Sequence, residues 1–399
     1  MWTLTGRRGR PRPALGFRDA STAAMACRAV VLPRLGGPEV LEVRSAVGVP
    51  NLKPRDVLVR ARAVSINPLD FRMRSGYGRS IFEPLLPLIL GRDISGEVAA
   101  VGSSVSSLTV GCDGFGALHP TAVRGTYADY AILSEDELTI KPSSVTRVST
   151  SNCTAEKNCD LKFGFKQIKL SSKSANLQVQ KPCAASHSLS HLEMEASAIP
   201  FAALTAWRAL KSTARITKQL LVLGGGGAVG LAAGCSVSTT CGSKSIDRVL
   251  EVGAEQAVDY ILQDIESAIK EQFDVVLDTI GIPETERIGI NLLKKGGHYM
   301  TLQGEAASLA DRYGLAIGLP AAMAILLKKQ VLYRCSHGIE YWWTYMRADA
   351  EGLDEIRRLS EAGKLKIPVE KTFPITQVRE AHEVKDKRLV PGKVVLEVD

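Results

Sequence analysis

Short apolar and alternating runs, divided by glycine and proline turns, fill the first part of the chain. Residues 29–32, 40–43 and 56–64 carry this pattern, and two glycine-rich segments, 91–98 and 125–130, continue it. Short strands with such punctuation are typical of antiparallel β-structure. The sequence therefore predicts a small, irregular β-barrel in this part of the chain.

The second half of the chain has a different period. Apolar runs predict five strands that alternate with helical stretches such as 246–252. This alternation indicates a parallel, doubly wound sheet, so the predicted fold class is α/β with a β-barrel domain beside the sheet. The five predicted strands are 220–223, 236–240, 257–260, 273–278 and 297–302.

A glycine-rich turn follows the first of these strands directly. Gly225, Gly227 and Gly230 satisfy G-x-G-x-x-G, and Gly226, Ala228 and Val229 lie between them. In a dinucleotide fingerprint the first glycine permits the turn, the second lets the backbone approach a pyrophosphate, and the third packs the helix on the sheet. The motif predicts a dinucleotide site, although four consecutive glycines could also form a flexible loop.

The segment after Gly230 is unusually short. Only five residues, 231–235, separate Gly230 from the second predicted strand. A parallel crossover needs about a dozen residues, and six helical residues would span only about 9 Å beside a strand of about 17 Å. We expect either distorted strand pairing or weak cofactor binding here.

The segment after the second strand bears on the choice of dinucleotide. NAD-binding sheets place Asp or Glu about 20 residues beyond the glycines, to bind the ribose 2′-hydroxyl. This chain has Gly242, Ser243 and Lys244 there, with no acid from 239 to 245. Hydroxyls and a cation suit a 2′-phosphate, so the sequence favours NADPH over NADH. Taken alone, Lys244 could be a solvated turn residue.

Length and charge narrow the class of protein. The 399 residues, 45% of them hydrophobic, allow two domains. The net charge of +8 comes from two segments, because residues 1–30 hold six arginines and one acid, and residues 146–190 hold seven basic and two acidic residues. The remaining chain is nearly neutral, so we expect no nucleic-acid partner.

The first 26 residues have the composition of a targeting segment. They are rich in Arg, Ser, Thr, Ala and Pro, their only acid is Asp19, and they contain no apolar core of a secretory signal. The sequence predicts a mitochondrial transit peptide, with a chloroplast transit peptide as the second choice. A basic, disordered terminus is the alternative.

The cysteine spacing and the length of the longest apolar run bear on metal sites, disulfides and membrane spans. The eight cysteines form no C-x-x-C pair, so neither a structural zinc site nor a disulfide framework is expected. The longest apolar run, 315–327, has 13 residues and contains Pro320, so no membrane span is predicted. Peripheral association with a membrane stays open.

Several motifs together resemble one superfamily. The barrel pattern precedes 203–207 (ALTAW), then come the glycine turn and a return segment that ends at 392–396 (GKVVL). This order resembles the zinc-independent quinone oxidoreductase branch of the medium-chain dehydrogenase/reductases. Four more motifs resemble its mitochondrial reticulon-interacting members and their plant counterparts, namely 74–78 (RSGYG), 90–93 (LGRD), 340–343 (EYWW) and 371–374 (KTFP).

The resemblance implies a domain plan. A GroES-like catalytic barrel covers 28–195, a Rossmann NADPH domain covers 196–333, and 334–399 returns to complete the barrel. Residues 146–190 match nothing in the family, and their Ser, Lys and Asn content indicates a disordered insertion. A regulatory loop, or untranslated sequence retained in the gene, are the alternatives.

The resemblance also implies further cofactor contacts. It assigns Thr205 to the nicotinamide side, Tyr260 to the adenosine side, and Pro391 and Gly392 to a closing loop, and it adds Leu302 as a cofactor-binding residue. Homodimerisation through the nucleotide domain is implied as well.

The resemblance then limits the chemistry. Zinc-dependent members carry a cysteine and a histidine where this chain has Asn67 and Arg92, so no metal site is expected. Direct hydride transfer to a quinone or an α,β-unsaturated carbonyl is the reaction implied, with a link to ubiquinone metabolism. Such a reaction needs a cofactor, an oxyanion donor and a proton source.

Tyr77 is the candidate proton donor, because it occupies the position of the catalytic tyrosine region in enoyl reductases. A tyrosine that only lines the cleft is the alternative. Asn67 and Asp70 are candidates for shaping the loop and orienting the substrate. Two other functions stay open: a weak or inactive scaffold of the reticulon-interacting type, and a defective splice product.

Overall fold

The structure of the protein is a computed structural model, and it describes residues 25–143, 186–212, 219–232, 237–387, 389–390 and 392–398. The predicted transit peptide therefore lies almost wholly outside the described residues. So does the predicted insertion, up to residue 185. From residue 186 onward a helix replaces the disorder that the sequence predicts, since this helix ends in a buried segment, Ala196 to Ala198.

Antiparallel strands form the first part of the fold. A three-stranded sheet has the order β2-β1-β4, and a seven-stranded sheet has the order β15-β16-β3-β5-β6-β8, with β7 also paired to β3. The chain's last two strands thus return to this sheet. The strands are β1 (Ala26–Leu32), β2 (Glu42–Gly48), β3 (Asp56–Ile66), β4 (Leu88–Ile89), β5 (Asp93–Val101), β6 (Asp113–Ala117), β7 (Tyr130–Ser134), β8 (Leu138–Ile140), β15 (Val369–Pro374) and β16 (Lys393–Glu397).

A six-stranded parallel sheet forms the second part, in the order β11-β10-β9-β12-β13-β14. Counted along the chain, this is the order 3-2-1-4-5-6 of dinucleotide-binding sheets. The prediction of an α/β fold with a GroES-like barrel and a Rossmann sheet is confirmed. These strands are β9 (Leu220–Leu223), β10 (Val237–Cys241), β11 (Gln256–Asp259), β12 (Phe273–Asp278), β13 (Leu293–Thr301) and β14 (Glu340–Trp343).

Helices connect and cover the sheets. The barrel carries α1 (Pro68–Arg74), α2 (Arg79–Phe82), α11 (Ala350–Glu361) and α12 (Val378–Asp386), and α3 (Ser186–Ala198) and α4 (Pro200–Ser212) lead into the parallel sheet. The remaining helices belong to that sheet: α5 (Ala228–Ala232), α6 (Ile246–Glu251), α7 (Ile265–Ala268), α8 (Pro283–Asn291), α9 (Ala306–Tyr313) and α10 (Leu315–His337).

The short crossover after Gly230 does not distort the sheet. Helix α5 has only five residues, yet β10 pairs in parallel with β9 over four successive residues, from Val237 with Leu220 to Thr240 with Leu223. Of the two expected consequences, distorted pairing is therefore not observed.

The expected domain boundary at Tyr333 falls inside α10. Strand β14, which follows this helix, pairs in parallel with β13, so the nucleotide sheet continues to Trp343. The sequence pattern missed β14 because its four residues sit beyond a long apolar helix.

Helix α10 is also longer than the apolar run suggested. It continues through Pro320 for 23 residues, and it is the one helix among the described residues that is long and apolar enough to cross a membrane, with a mean hydropathy of 1.6 over 18 residues. Its inner side packs on the sheet, where Gln330 donates a hydrogen bond to the carbonyl of Tyr341.

A buried ion pair joins the segments of the barrel. Asp93 on β5 and Lys393 on β16 lie 2.8 Å apart, and neither is exposed by more than 3%. The other Asp93 oxygen accepts a hydrogen bond from the backbone N–H of Phe201, in the first turn of α4. One carboxylate thus connects two barrel strands to the helix that enters the nucleotide domain.

Burial of His382 makes the stability of the barrel depend on pH. The ring lies edge-on to Tyr127, its Nδ1 is 3.3 Å from the Arg74 guanidinium, and Asp386 accepts from that guanidinium on its other side. Burial first, and the Arg74 charge second, lower the pKa of His382 to about 3. Folding therefore requires the neutral imidazole.

We predict that this histidine destabilises the fold as pH falls. The unfolded chain binds the proton near pH 6.5 and the folded chain only near 3, so the free energy of unfolding should fall by about 1.4 kcal/mol per pH unit in this window. Urea unfolding at pH 7.5 and pH 5 measures the loss. In His382→Gln the loss between these pH values should be smaller by about 2 kcal/mol, and an equal loss in both proteins would contradict the assignment.

Candidate functional site

The glycine turn after β9 has the geometry that the fingerprint predicts. Gly224 has φ = +90°, a backbone conformation that favours glycine. A Cβ on Gly225 would collide with the Thr239 hydroxyl on β10, and a Cβ on Gly230 would collide with the backbone of Gly225. The turn is thus closed on itself, and any larger residue at Gly225 would open it.

Gly227 differs from these glycines because its space is open. A Cβ there would meet only the Gly224 carbonyl oxygen, at 3.7 Å, and the residue is exposed. Such a site lets another backbone or a phosphate approach closely. Gly226 packs against Ser245, while Ala228 and Val229 begin α5. The residues therefore fit a bound dinucleotide, with the open side of the turn at Gly227.

The segment after β10 forms a small turn. Gly242 precedes Ser243 and Lys244, and both of these side chains are exposed. The ring of Tyr260, which follows β11 and is half exposed, lies beside Gly242. The structure thus brings together Gly242, Ser243, Lys244 and Tyr260.

A carboxylate lies next to this turn. Asp259, the last residue of β11, accepts hydrogen bonds from the Ser243 side chain and from the backbone N–H of Ile261, and these bonds lower its pKa. The sequence shows no acid directly after the second strand. Asp259 comes from the third strand, β11, which lies next to β10 in the sheet, so the local pattern did not reveal it. Lys244 in the same turn is exposed.

Leu302 packs against an apolar cluster that includes Leu204 and Ala206, the neighbours of the buried Thr205 in α4. The cluster also contains Ala228 and Val229 of the glycine turn. The Thr205 hydroxyl donates to the Phe201 carbonyl, 2.6 Å away, so only its lone pairs remain for a ligand.

The expected closing loop is described only in part. Pro391 lies outside the described residues, and Gly392 packs against Glu370 and Pro368 on the barrel. Its carbonyl accepts a hydrogen bond from Lys385 at 2.8 Å. Gly392 thus immediately precedes the buried Lys393.

Asn67 and Asp70 are both buried and fully engaged. The Asn67 amide donates to Asp93 at 2.8 Å and accepts from Lys393 at 2.7 Å. Asp70 accepts from the backbone N–H groups of Asn67 and Gly91, and burial raises its pKa. Both residues hold the loop in shape, and neither presents a free group to the cleft.

Arg92 occupies the position where zinc-dependent relatives carry a histidine. It is fully buried, and its guanidinium donates to the carbonyls of Gly91, Pro120 and Ala122. No group of three or more His, Cys, Asp or Glu side chains that could hold a metal occurs among the described residues. A permanent cation with no lone pair to give cannot bind zinc, so the donor set does not fit this metal.

Tyr77 lies where the barrel contacts the nucleotide domain, between Arg72, which bonds Gln303, and Gly78, which bonds Asp311. It is half-buried, with the Arg72 guanidinium 5.9 Å from its ring centre, and Arg72 donates to Gln303 after β13 at 2.9 Å. Burial raises the pKa of Tyr77, although Arg72 opposes the shift. The phenol therefore stays protonated at neutral pH, as a proton donor requires.

A continuous line of contacts connects the glycine turn with Tyr77. Thr279 donates to the Gly224 carbonyl at 3.1 Å, Gly281 packs against Gln303, and Gln303 bonds Arg72. These residues follow the carboxyl ends of β9, β12 and β13, where parallel sheets bind their ligands. Sequence reasoning missed Arg72 and Gln303, because no local motif marks a contact between residues 231 positions apart.

Two protein families match the chain. The alcohol dehydrogenase GroES-like domain matches residues 53–143, and the zinc-binding dehydrogenase family matches residues 252–396. The first covers barrel strands and the second covers most of the nucleotide sheet and the return to the barrel. Their order along the chain agrees with the observed architecture.

Curated relatives span nearly the whole chain. The mouse NAD(P)H oxidoreductase RTN4IP1, mitochondrial, is 28% identical over 97% of this chain and 93% of its own length. The NADPH-dependent alkenal/one oxidoreductase, chloroplastic, of Arabidopsis thaliana is 24% identical over 92% of this chain and 79% of its own.

Solved structures agree on the fold. The quinone oxidoreductase from Coxiella burnetii superposes with a TM-score of 0.69 over 94% of this chain and all of its own, at 22% identity. The chain therefore belongs to the medium-chain dehydrogenase/reductase superfamily, and it is an oxidoreductase of that type.

Proposed function

We propose that this protein is an NADPH-dependent, zinc-independent oxidoreductase that reduces a quinone or an α,β-unsaturated carbonyl. One observation carries the proposal: the glycine turn and the protonated Tyr77 are linked through Gln303 and Arg72 along one edge of the sheet. The cofactor supplies a hydride when it is bound. Gly225 and Gly230 close its turn, and Gly227 leaves room for its pyrophosphate.

The residues of the cleft suggest how an acceptor is reduced. Tyr77 donates a proton from its hydroxyl to the carbon or oxygen that gains negative charge, and Arg72 beside it stabilises that charge. Thr205, whose hydroxyl donates to the Phe201 carbonyl, and the apolar Leu302 would lie on the cofactor side of the cleft. Asn67 and Asp70 position the loop and take no part in proton transfer.

The proposed substrate class and cellular location rest on the names of the relatives. The Arabidopsis relative is named for NADPH and for alkenal/one substrates, and the mouse relative is named as mitochondrial. We propose mitochondrial residence, with the chloroplast as the alternative, and a link to ubiquinone metabolism.

A homodimer is part of the proposal. Strand β14 is the outer strand of the parallel sheet, and Trp342 on it is about half exposed. Open edge strands are natural pairing sites, so two β14 strands related by a two-fold axis would join the sheets.

The short α5 favours a second candidate, a scaffold of the reticulon-interacting type that binds cofactor weakly or not at all. A defective splice product is the third. The NADPH titration below separates them: no binding with an intact fold favours the scaffold, and misfolding favours the defective product.

We predict that wild type binds NADPH with micromolar affinity and that Gly227→Ala does not. The added methyl group has space in the protein itself, but it occupies the position of the pyrophosphate. NADPH fluorescence measures binding, and circular dichroism checks the fold. Gly48→Ala is the matched control, because a Cβ at Gly48 meets nothing within 4 Å. Equal binding by both variants would contradict the site.

Lys244 should decide between the two dinucleotides. Lys244→Gln should weaken NADPH binding about tenfold, because a hydrogen bond between charged partners contributes about 1.5 kcal/mol. The affinity for NADH should not change, since NADH lacks the 2′-phosphate. The exposed Lys270→Gln serves as the control for loss of a surface charge. An equal effect of Lys244→Gln on both cofactors would refute the pocket.

Tyr77→Phe should reduce kcat for an enone about 100-fold, the lower range for loss of a general acid. The dissociation constant for NADPH should stay the same, since Tyr77 faces the acceptor. Stopped-flow oxidation of NADPH measures the rate, with Tyr130→Phe on β7 as the control. An unchanged kcat would mean that Tyr77 only lines the cleft.

A further inference from the structure

The outer face of α10 is apolar and uncovered. Only 11% of its most apolar 18-residue window is buried. Large apolar side chains recur along the whole helix with more than two fifths of their surface exposed. These are Leu315, Ile317, Leu319, Met323, Leu327, Val331 and Leu332.

Helical geometry places four of these residues, Ile317, Leu327, Val331 and Leu332, on one side of the helix. Each residue turns the helix by about 100°. Gly318 and Ala322 are buried, and Gln330 and Tyr333 contact Tyr341 on the sheet. Ile317, Ala324 and Val331 project on the opposite side. The apolar face thus points directly away from the sheet.

The charged residues in and just before this helix are all basic. From Arg312 to His337 the chain contains four basic residues and no acid. Lys329 and Arg334 make ion pairs with acids outside this stretch. Lys328 is exposed and lies on the apolar face itself, where its long stem can cover apolar surface while its ammonium reaches outward.

We propose that α10 docks the protein on an anionic bilayer surface, with the helix lying in the plane of the membrane. An apolar face with only basic charges is the pattern of helices that bind at the lipid interface. A contiguous apolar surface of this kind is rare on a protein that stays in water. Phospholipid headgroups pair with Arg312 and Lys328, and the acyl boundary takes Ile317, Leu327 and Val331.

A second copy of the chain fits this face less well. A dimer through β14 extends the sheet sideways, whereas the face of α10 points outward from the sheet. Lys328, near the middle of the face, would be buried by a protein partner with no acid on α10 to pair with it. At a membrane the same lysine meets phosphate groups.

The docking helix is connected to the cleft. Gly318 packs directly on Leu309 and Ala310 of α9. Asp311, also on α9, accepts hydrogen bonds from the backbone of Gly78 at 2.7 Å and Ser80 at 2.9 Å, on either side of Arg79. Tyr77 precedes this loop. An acceptor dissolved in the membrane would therefore reach the cleft beside α9, and this last step rests on the proposed function.

The test measures binding of the full chain to vesicles by flotation. Vesicles of phosphatidylcholine alone are compared with vesicles that contain about one third phosphatidylglycerol. Wild type should bind the anionic vesicles, and high salt should weaken the binding. Leu327→Glu should bind at least tenfold more weakly, and Lys328→Gln about fivefold more weakly, since each basic residue near the surface contributes about 1 kcal/mol.

Val110→Glu is the matched control, because Val110 is equally exposed but lies on the barrel. It should bind as wild type does. The basic N-terminal segment is present in every variant, so equal binding by wild type and Leu327→Glu would assign binding to that segment and overturn the proposal. Absence of binding by wild type would overturn it too.

Sedimentation velocity on the same samples identifies a protein occupant. If Leu327→Glu converts a dimer to a monomer and leaves vesicle binding unchanged, a second copy covers the face and the membrane proposal is wrong. NADPH titration of these samples separates the two proposals: vesicle binding without NADPH binding would leave the docking helix standing and remove the proposed function.

Discussion

The buried ion pair between Asp93 and Lys393 is the interaction on which the barrel and the site depend. It connects β5 with β16, which are 300 positions apart, and it also fixes Asn67 and Ser65. Removal of one partner from such a pair leaves an unpaired buried charge, which costs about 3–5 kcal/mol. The return of the chain's last strand to the barrel is therefore fixed by charge as well as by sheet pairing.

The same ion pair explains why the residues at the zinc position of the superfamily do not suit a metal in this chain. The Asn67 side-chain amide donates to Asp93 through its nitrogen and accepts from Lys393 through its oxygen. The Arg92 guanidinium donates to three backbone carbonyl oxygens. Ionic and hydrogen-bonded contacts thus fill the region that a metal and its ligands occupy in zinc-dependent members of the superfamily. On the outer side of the loop, Arg72 contacts Gln303 of the nucleotide domain, and its guanidinium lies over the Tyr77 ring.

Local patterns predicted much of this fold. The strand 273–278 was predicted at its observed bounds, and the glycine turn has the backbone geometry that its motif requires. The patterns could not show which distant residues meet. The pairing of Asp93 with Lys393, and of Asp259 with Ser243, needs the three-dimensional order of the strands. Similarly, Pro320 suggested an end to an apolar run, while packing against the sheet extends the helix to His337.

The loop that contains Tyr77 is bonded to the nucleotide domain, and this limits how the two domains can move apart. By sequence the loop belongs to the barrel, yet Asp311 and Ala310 of the other domain bind Gly78 and Ser80 through three hydrogen bonds. A rigid rotation of one domain against the other must either break these bonds or bend the chain between α1 and α2. With the bonds kept, the bend would fall at Ser75 and Gly76, where the chain leaves α1, and the loop would stay with the nucleotide-binding half.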